Sequence, residues 1–239
     1  MLTRFDDYPI HQTPEPVAHA ATGDRNFYDR YFFNGYDREG SLFFAVALGL
    51  YPNRRVMDAS VSVIRDGVQR SIHASRLAPA ERGGTRVGPA SAEGVETGRA
   101  LSVRVAENAG GISGDLVFHA RTRPVEEPRF RRLAHGRAVM DATRFTQFGR
   151  WEGVIGLDGA TLALGPTRFL GSRDRSWGIR PVGEREAGAP GPAPQYFWLW
   201  APLHFDDACT HFAVHEDENG TRWHAFGPPL PALRHAAPA

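Results

Sequence analysis

Residues 57–75 read MDASVSVIRDGVQRSIHAS. Two runs rich in β-branched residues, Met57–Arg65 and Gln69–Ser75, flank Asp66-Gly67, a pair that suits a two-residue hairpin because both positions tolerate positive φ. The same grammar continues outward. Upstream, Phe27–Phe33 and Ser41–Leu50 read as strands; downstream, Leu101–Ala106 and Gly114–Ala120 do so. In Leu101–Ala106 the alternation is explicit: Leu101, Val103 and Val105 share one face, while Ser102, Arg104 and Ala106 share the other. Six further strands are expected at Trp151–Leu157, Ala160–Leu164, Arg175–Arg180, Tyr196–Leu203, Cys209–His215 and Arg222–Phe226. Asp158-Gly159 and Asn219-Gly220 supply two more turns. Helical periodicity is scarce, so the fold class is all-β, and short strands at roughly ten-residue spacing indicate a sandwich or barrel.

Breaks in this pattern divide the chain. Ala80–Gly98 is loaded with small and charged residues and reads as a long surface loop, and Thr122–Arg132, with two prolines and a charge run, reads as a boundary. The expected organisation is an N-terminal extension over 1–25, a β domain over 26–132, a second over 133–227 and a flexible tail over 228–239. Gly183–Pro194 is read as a loop, since strand-like sequence resumes on both sides.

Composition excludes several functions. Hydrophobic residues make up 41% and charged residues 23% of the 239, which argues for a packed core rather than disorder. The net charge of +1 gives no electrostatic footprint for nucleic acid. All 28 basic residues are arginine, which removes Schiff-base, phosphate-loop and general-base lysines. A single cysteine, Cys209, excludes an internal disulfide and multi-cysteine metal sites. Met1–Pro16 lacks a secretory pattern and no apolar run reaches membrane-spanning length, so a cytoplasmic protein without stable membrane insertion is expected.

The densest chemical signal is GSRDRSWGIRP, residues 171–181. On a strand, Arg175, Trp177 and Ile179 share a face, with Asp174 at the entrance. Two roles stand open for Asp174: an anchor held ionised by arginines, or a carboxyl kept protonated in an apolar pocket and able to act as an acid. Tyr196, Trp198 and Trp200 alternate with Phe197 and Leu199, so they either fill core volume or line a pocket. His211 and His215 share a face but stand roughly 13 Å apart on an extended strand, too far to bind one ion directly, and no metal site is expected. Ser75, His73 and Asp58 lack a nucleophile elbow and are not read as a triad.

The run GSRDRSWGIRP resembles the Asp-x-Ser-Trp-Gly signature of the hydroxyneurosporene synthase and AttH-like group of lipocalin-like proteins. FYDRYFFNGYD (27–37), ALGLYPNRRVMDASVSV (47–63) and RDGVQRSIHASR (65–76) are similar to the N-terminal half of that group. The resemblance spans roughly Asn26–His224. It implies two lipocalin-like antiparallel β-barrel or sandwich domains in tandem, the second shortened here, because members of the group continue past this length. Its named enzyme, carotenoid 1,2-hydratase, adds water to a terminal alkene without a redox cofactor. The resemblance therefore implies a cofactor-independent lyase, isomerase or cyclase acting on a lipophilic molecule of isoprenoid, steroid or polyketide type. Asp174 would be the proton donor and Trp177 the wall that tolerates a carbocation; Arg180, Tyr196, Trp198 and Trp200 would bind the ligand. The rival expectation is a carrier that holds such a ligand unchanged. The oligomeric state is not legible in the sequence.

Overall fold

The computed structural model describes residues 2–134, 136–182 and 195–233. The expected loop at Gly183–Pro194 and the last six residues of the tail lie outside the described residues. The chain is all-β and lipocalin-like, with two short 3₁₀ turns at Arg4–Asp7 and Pro52–Arg54. No helix is long and apolar enough to cross a membrane.

The first four strands form two hairpins: β1 (Phe27–Asp37) with β2 (Leu42–Tyr51), and β3 (Val56–Arg65) with β4 (Val68–Leu77). Then come β5 (Ala90–Glu96), β6 (Ala100–Val105), β7 (Ile112–Ala120), β8 (Val125–Glu126) and β9 (Phe130–Ala134). β10 (Arg137–Leu157) is 21 residues long and is followed by β11 (Ala160–Leu164) and β12 (Phe169–Ile179). The last four are β13 (Tyr196–His204), β14 (Ala208–Asp217), β15 (Arg222–Phe226) and β16 (Pro229–Pro231). One curled antiparallel sheet has the order β4-β3-β2-β1-β12-β10-β7-β6-β5, with β8, β9 and β11 also paired to β10. A second sheet, β13-β14-β15 with β16 on β14, covers the outer face of β1, β12 and β10.

The structure departs from the expected elements in four places. The loop assigned to 80–98 contains β5, an edge strand whose small and charged side chains bury only Ala90 and Ala92 deeply. The strand expected to begin at Trp151 begins at Arg137, because the polar residues Arg144, Thr146 and Gln147 that interrupt its apolar pattern are buried by partners. The tail adds β16, which pairs with Ala208–Thr210. The boundary expected at 132/133 falls within β9, which pairs with β10 and so stays in the large sheet.

The turn that opens the argument behaves as its residues demand: Asp66 and Gly67 have φ of 51° and 74°, both left-handed. A Gly67→Ala variant should lose about 1 kcal/mol, since a Cβ disfavours that region while no neighbouring atom obstructs it. A fall in the urea midpoint with an unchanged slope checks this; an unchanged midpoint would contradict it.

Inside the curl, Trp151 is fully buried against Phe33, Phe44 and Phe118, with ring centroids 6.0, 5.1 and 5.2 Å away. Its indole N–H donates to the Asn34 carbonyl at 2.8 Å. Gly35, Gly171 and Gly149 stand in register on three strands, with the Trp151 ring over the first two and the Phe118 ring over the third. A Cβ on Gly171 would stand 2.1 Å from the Asn34 oxygen, and one on Gly35 2.3 Å from the Phe44 ring, so this close approach requires glycine. The interior of the curl is thus packed around Trp151, and open space lies in two places: a cavity of about 650 Å³ on the inner face of the curl, lined by Tyr31, Leu48, Leu50, Met57, Arg82 and Arg175, and a second between the two sheets.

Candidate functional site between the two sheets

Alternation along β1 and β12 sends odd-numbered side chains such as Phe33 and Arg173 into the curl. Even-numbered ones, Tyr28, Arg30, Phe32, Asp174 and Ser176, face the second sheet. The even-numbered side chains of β13 face back toward them: Trp200 meets Phe32 edge-on at 6.5 Å, and His204 lies 3.1 Å from the Gly171 carbonyl. Between these faces is a cavity of about 580 Å³, walled by Phe130, Tyr196, Trp198, Trp200 and Trp223. Its polar lining includes Arg30, Arg144, Asp174, Ser176, Arg180 and His215.

Asp174 stands in register between Phe32 and Thr146 and is 4% exposed. Its nearest cation is Arg30, whose Nη2 is 3.8 Å from Oδ1, and Oδ1 accepts no hydrogen bond. Burial pushes its pKa above the usual carboxylate range, with Arg30 and Arg144 pulling in the opposite direction. The carboxyl is therefore more readily protonated than a solvated one, and it faces an aromatic cavity.

Arg180 also lines the cavity, with its guanidinium carbon 4.5 Å from the centroid of the Tyr28 ring. Burial, followed by the like charge of Arg30, lowers its pKa. The expected ligand-binding residues Tyr196, Trp198 and Trp200 line the same space. Trp177 does not. It lies on the other face of β12, 39% exposed, edge-on to Phe145 at 6.4 Å. The expected union of Asp174 and Trp177 on one wall is corrected by the two-residue period of a strand: positions three apart point to opposite faces.

The sequence did not show what stands behind the tryptophans of the second wall. His211 and His215 do share a face of β14, and each packs on a tryptophan of β13, Trp200 at 5.4 Å and Trp198 at 6.0 Å. Burial lowers the His215 pKa to about 4, with help from His224, Arg144 and Arg132, so its ring is neutral near pH 7 and its Nε2 has no partner. Among the described residues, no three or more His, Cys, Asp or Glu side chains are grouped to hold a metal ion.

Behind the cavity, Glu127 is fully buried. It accepts hydrogen bonds from Arg144 Nε and Nη2 at 2.7 and 2.6 Å and from the Thr146 hydroxyl at 2.8 Å. This fork fixes Arg144, whose guanidinium carbon lies 4.7 Å from the centroid of the Phe130 ring. The alternation of Ala142, Arg144 and Thr146 was the only trace of it in the sequence. Ser75, His73 and Asp58 line a separate groove on the outer face of β3 and β4, where burial raises the Asp58 pKa against the pull of the Tyr51 hydroxyl and the Gly49 N–H.

Residues 2–239 match the profile of a family described as a family of unknown function, DUF8625. The chain belongs to that family. No curated protein matches it. Among solved structures, this DUF8625 member is similar to a putative AttH from Nitrosomonas europaea, with 14% identity, a TM-score of 0.58, and coverage of 93% of this chain and 70% of the other. It is also similar to CghA crystallised with Sch210972, with 15% identity and a TM-score of 0.52; the match covers 87% of this chain but only 58% of CghA. Kievitone hydratase from Nectria haematococca gives 16% identity and a TM-score of 0.49, covering 84% and 60% of the two chains. The first two likenesses establish the lipocalin-like fold and, at such low identity, nothing about the reaction.

Proposed function

We propose that the chain catalyses a cofactor-independent lyase or isomerase reaction on a lipophilic small molecule of isoprenoid, steroid or polyketide type, bound between the two sheets. The observation that carries this reading is Asp174: a buried carboxyl, biased to its protonated form, with an unpartnered oxygen in an aromatic cavity. In this role the Asp174 O–H donates its proton to an alkene or carbonyl of the ligand. Trp198, Trp200 and Phe32 present ring faces and edges to the positive charge that develops, which the π quadrupole stabilises in a desolvated site. The proton lost in return, from water in a hydration or from the ligand in an isomerisation, goes to a base on the opposite wall, for which neutral His215 is suited. Arg180 and Tyr196 orient the ligand. Trp177 has no part in this reading, and Trp198 and Trp200 take the place assigned to it by resemblance.

The test is native mass spectrometry of wild type and Asp174→Asn after incubation with a terpenoid or lipid extract. Wild type should convert a bound component, adding 18 Da by hydration or rearranging it at constant mass, and Asp174→Asn should slow that conversion by about 10²-fold while still binding. Retention of the same unchanged ligand by both proteins would sink the acid role and leave a carrier.

A further inference from the structure

The cavity that this function uses carries more cation than its acids can balance. Of the four arginines on its wall, Arg144 is neutralised by the Glu127 fork, and Arg132 lies over the Trp223 ring with Asp217 in its field. Arg30 and Arg180 remain, with the Asp58 carboxyl, outside this cavity, in their field. Each has a buried Nε–H with no acceptor, and each feels the other as a like charge. The one carboxyl on the cavity wall, Asp174, is held toward its neutral form by burial. A buried guanidinium N–H without an acceptor costs free energy, and two on one cavity wall create a positive field fit for an anion. Trp198, Trp200 and Trp223 stand on the second sheet, across the space from Arg30 and Arg180, which lie over the Phe32 and Tyr28 rings on their own side.

We propose that the ligand is a lipophilic anion whose apolar body lies against Trp198, Trp200 and Trp223, and whose oxyanionic head, a carboxylate, enolate or sulfonate, accepts hydrogen bonds from Arg30 and Arg180. This rests on the reading that the cavity is the ligand site, and it deepens that reading by naming the head group. It also links binding to chemistry. An anion on Arg30 cancels the cation that draws Asp174 toward ionisation, so an occupied site keeps Asp174 as the acid.

Two fluorescent probes with a common body separate the contributions: 1-anilinonaphthalene-8-sulfonate, an anion, and N-phenyl-1-naphthylamine, which lacks the sulfonate. The wild-type protein should bind the anion at least tenfold more tightly in a fluorescence titration at low salt. Arg30→Met and Arg180→Met should each remove at least tenfold of the anion's affinity and leave the neutral probe within twofold, with circular dichroism confirming the fold. Arg104→Met, which breaks an exposed pair with Asp115, should change neither. Equal wild-type affinity for the two probes, or an anion affinity insensitive to both cavity substitutions, would overturn the proposal. Asp174→Asn should bind the anion as tightly as wild type. A failure of the acid role would therefore appear as a wild type that converts nothing, or as conversion that Asp174→Asn does not slow, at retained anion preference, and a failure of this inference as an absent anion preference.

Discussion

Glu127→Ala should destabilise the protein by about 3–5 kcal/mol, read as a shift of the urea midpoint followed by circular dichroism, because it leaves the Arg144 guanidinium between the sheets without its counter-ion. The side chain of Glu127 has no exposure and that of Arg144 only 14%, so water cannot take the place of the lost carboxylate. Thr146 loses its acceptor as well. The double variant Glu127→Ala with Arg144→Met should cost much less than the sum of the two single changes, since it removes both charges together. A loss below about 1 kcal/mol for Glu127→Ala would mean that solvent reaches the pair, as at an exposed ion pair.

Acidification should weaken the fold in a window well above ordinary carboxylate titration. Burial lowers the pKa of His211 from 6.5 to about 3, and those of His204 and His215 to about 4. The Glu127 carboxylate, 3.6 Å from His211 Nδ1, does not reverse this, because it is already committed to Arg144 and Thr146. Arg144 and His224 face the same ring and oppose its charging. The sign follows from linkage. Between about pH 6.5 and each depressed value the unfolded chain binds a proton that the folded chain does not, so stability falls as pH falls. At pH 5, His211 alone contributes a loss of about 2 kcal/mol relative to pH 7.5. Asp174 acts in the opposite sense, since a carboxyl whose pKa is raised on folding favours the folded state as the solution becomes more acidic. Against it act His204, His211, His215 and also His224, whose pKa burial lowers. Thermal unfolding between pH 7.5 and 5 should show the decline, and His211→Asn should flatten it; a midpoint that holds steady or climbs over that interval contradicts the assignment.

The N-terminal hairpins were legible in the sequence because each strand has a turn with its own backbone requirement and an apolar alternation on one face. β5 escaped because an edge strand needs few apolar side chains, and ASAEGVE supplies only two small ones to the core. The first half of β10 escaped for the opposite reason. Its buried face is polar, and polar residues read as buried only when their partners are known; Glu127 lies on another segment altogether. Asp174, Trp198 and Trp200 were legible as chemistry-bearing residues, and the cavity between the sheets holds them together. Trp177 was assigned by resemblance although parity along the strand already opposed it to Asp174. Arg30 could not be recognised at all, since nothing local distinguishes it from the other arginines; only the register Arg30↔Ser176↔Arg144 puts it at the site.

That register also constrains the order in which the molecule can be built. β12 is held on one side by β1 and on the other by β10, and the Asp29–Arg175 pair, on the opposite face of these strands, joins residues 146 positions apart. The hairpins β1-β2 and β3-β4 close over short loops and can form while the chain is still being synthesised, but the wall bearing Arg30 gains Asp174 only after β12 has emerged and closed that long loop. Its aromatic cover, β13–β15, is made later still. The pocket is therefore among the last features to appear on the nascent chain, and a ligand that binds it selects molecules whose folding is complete.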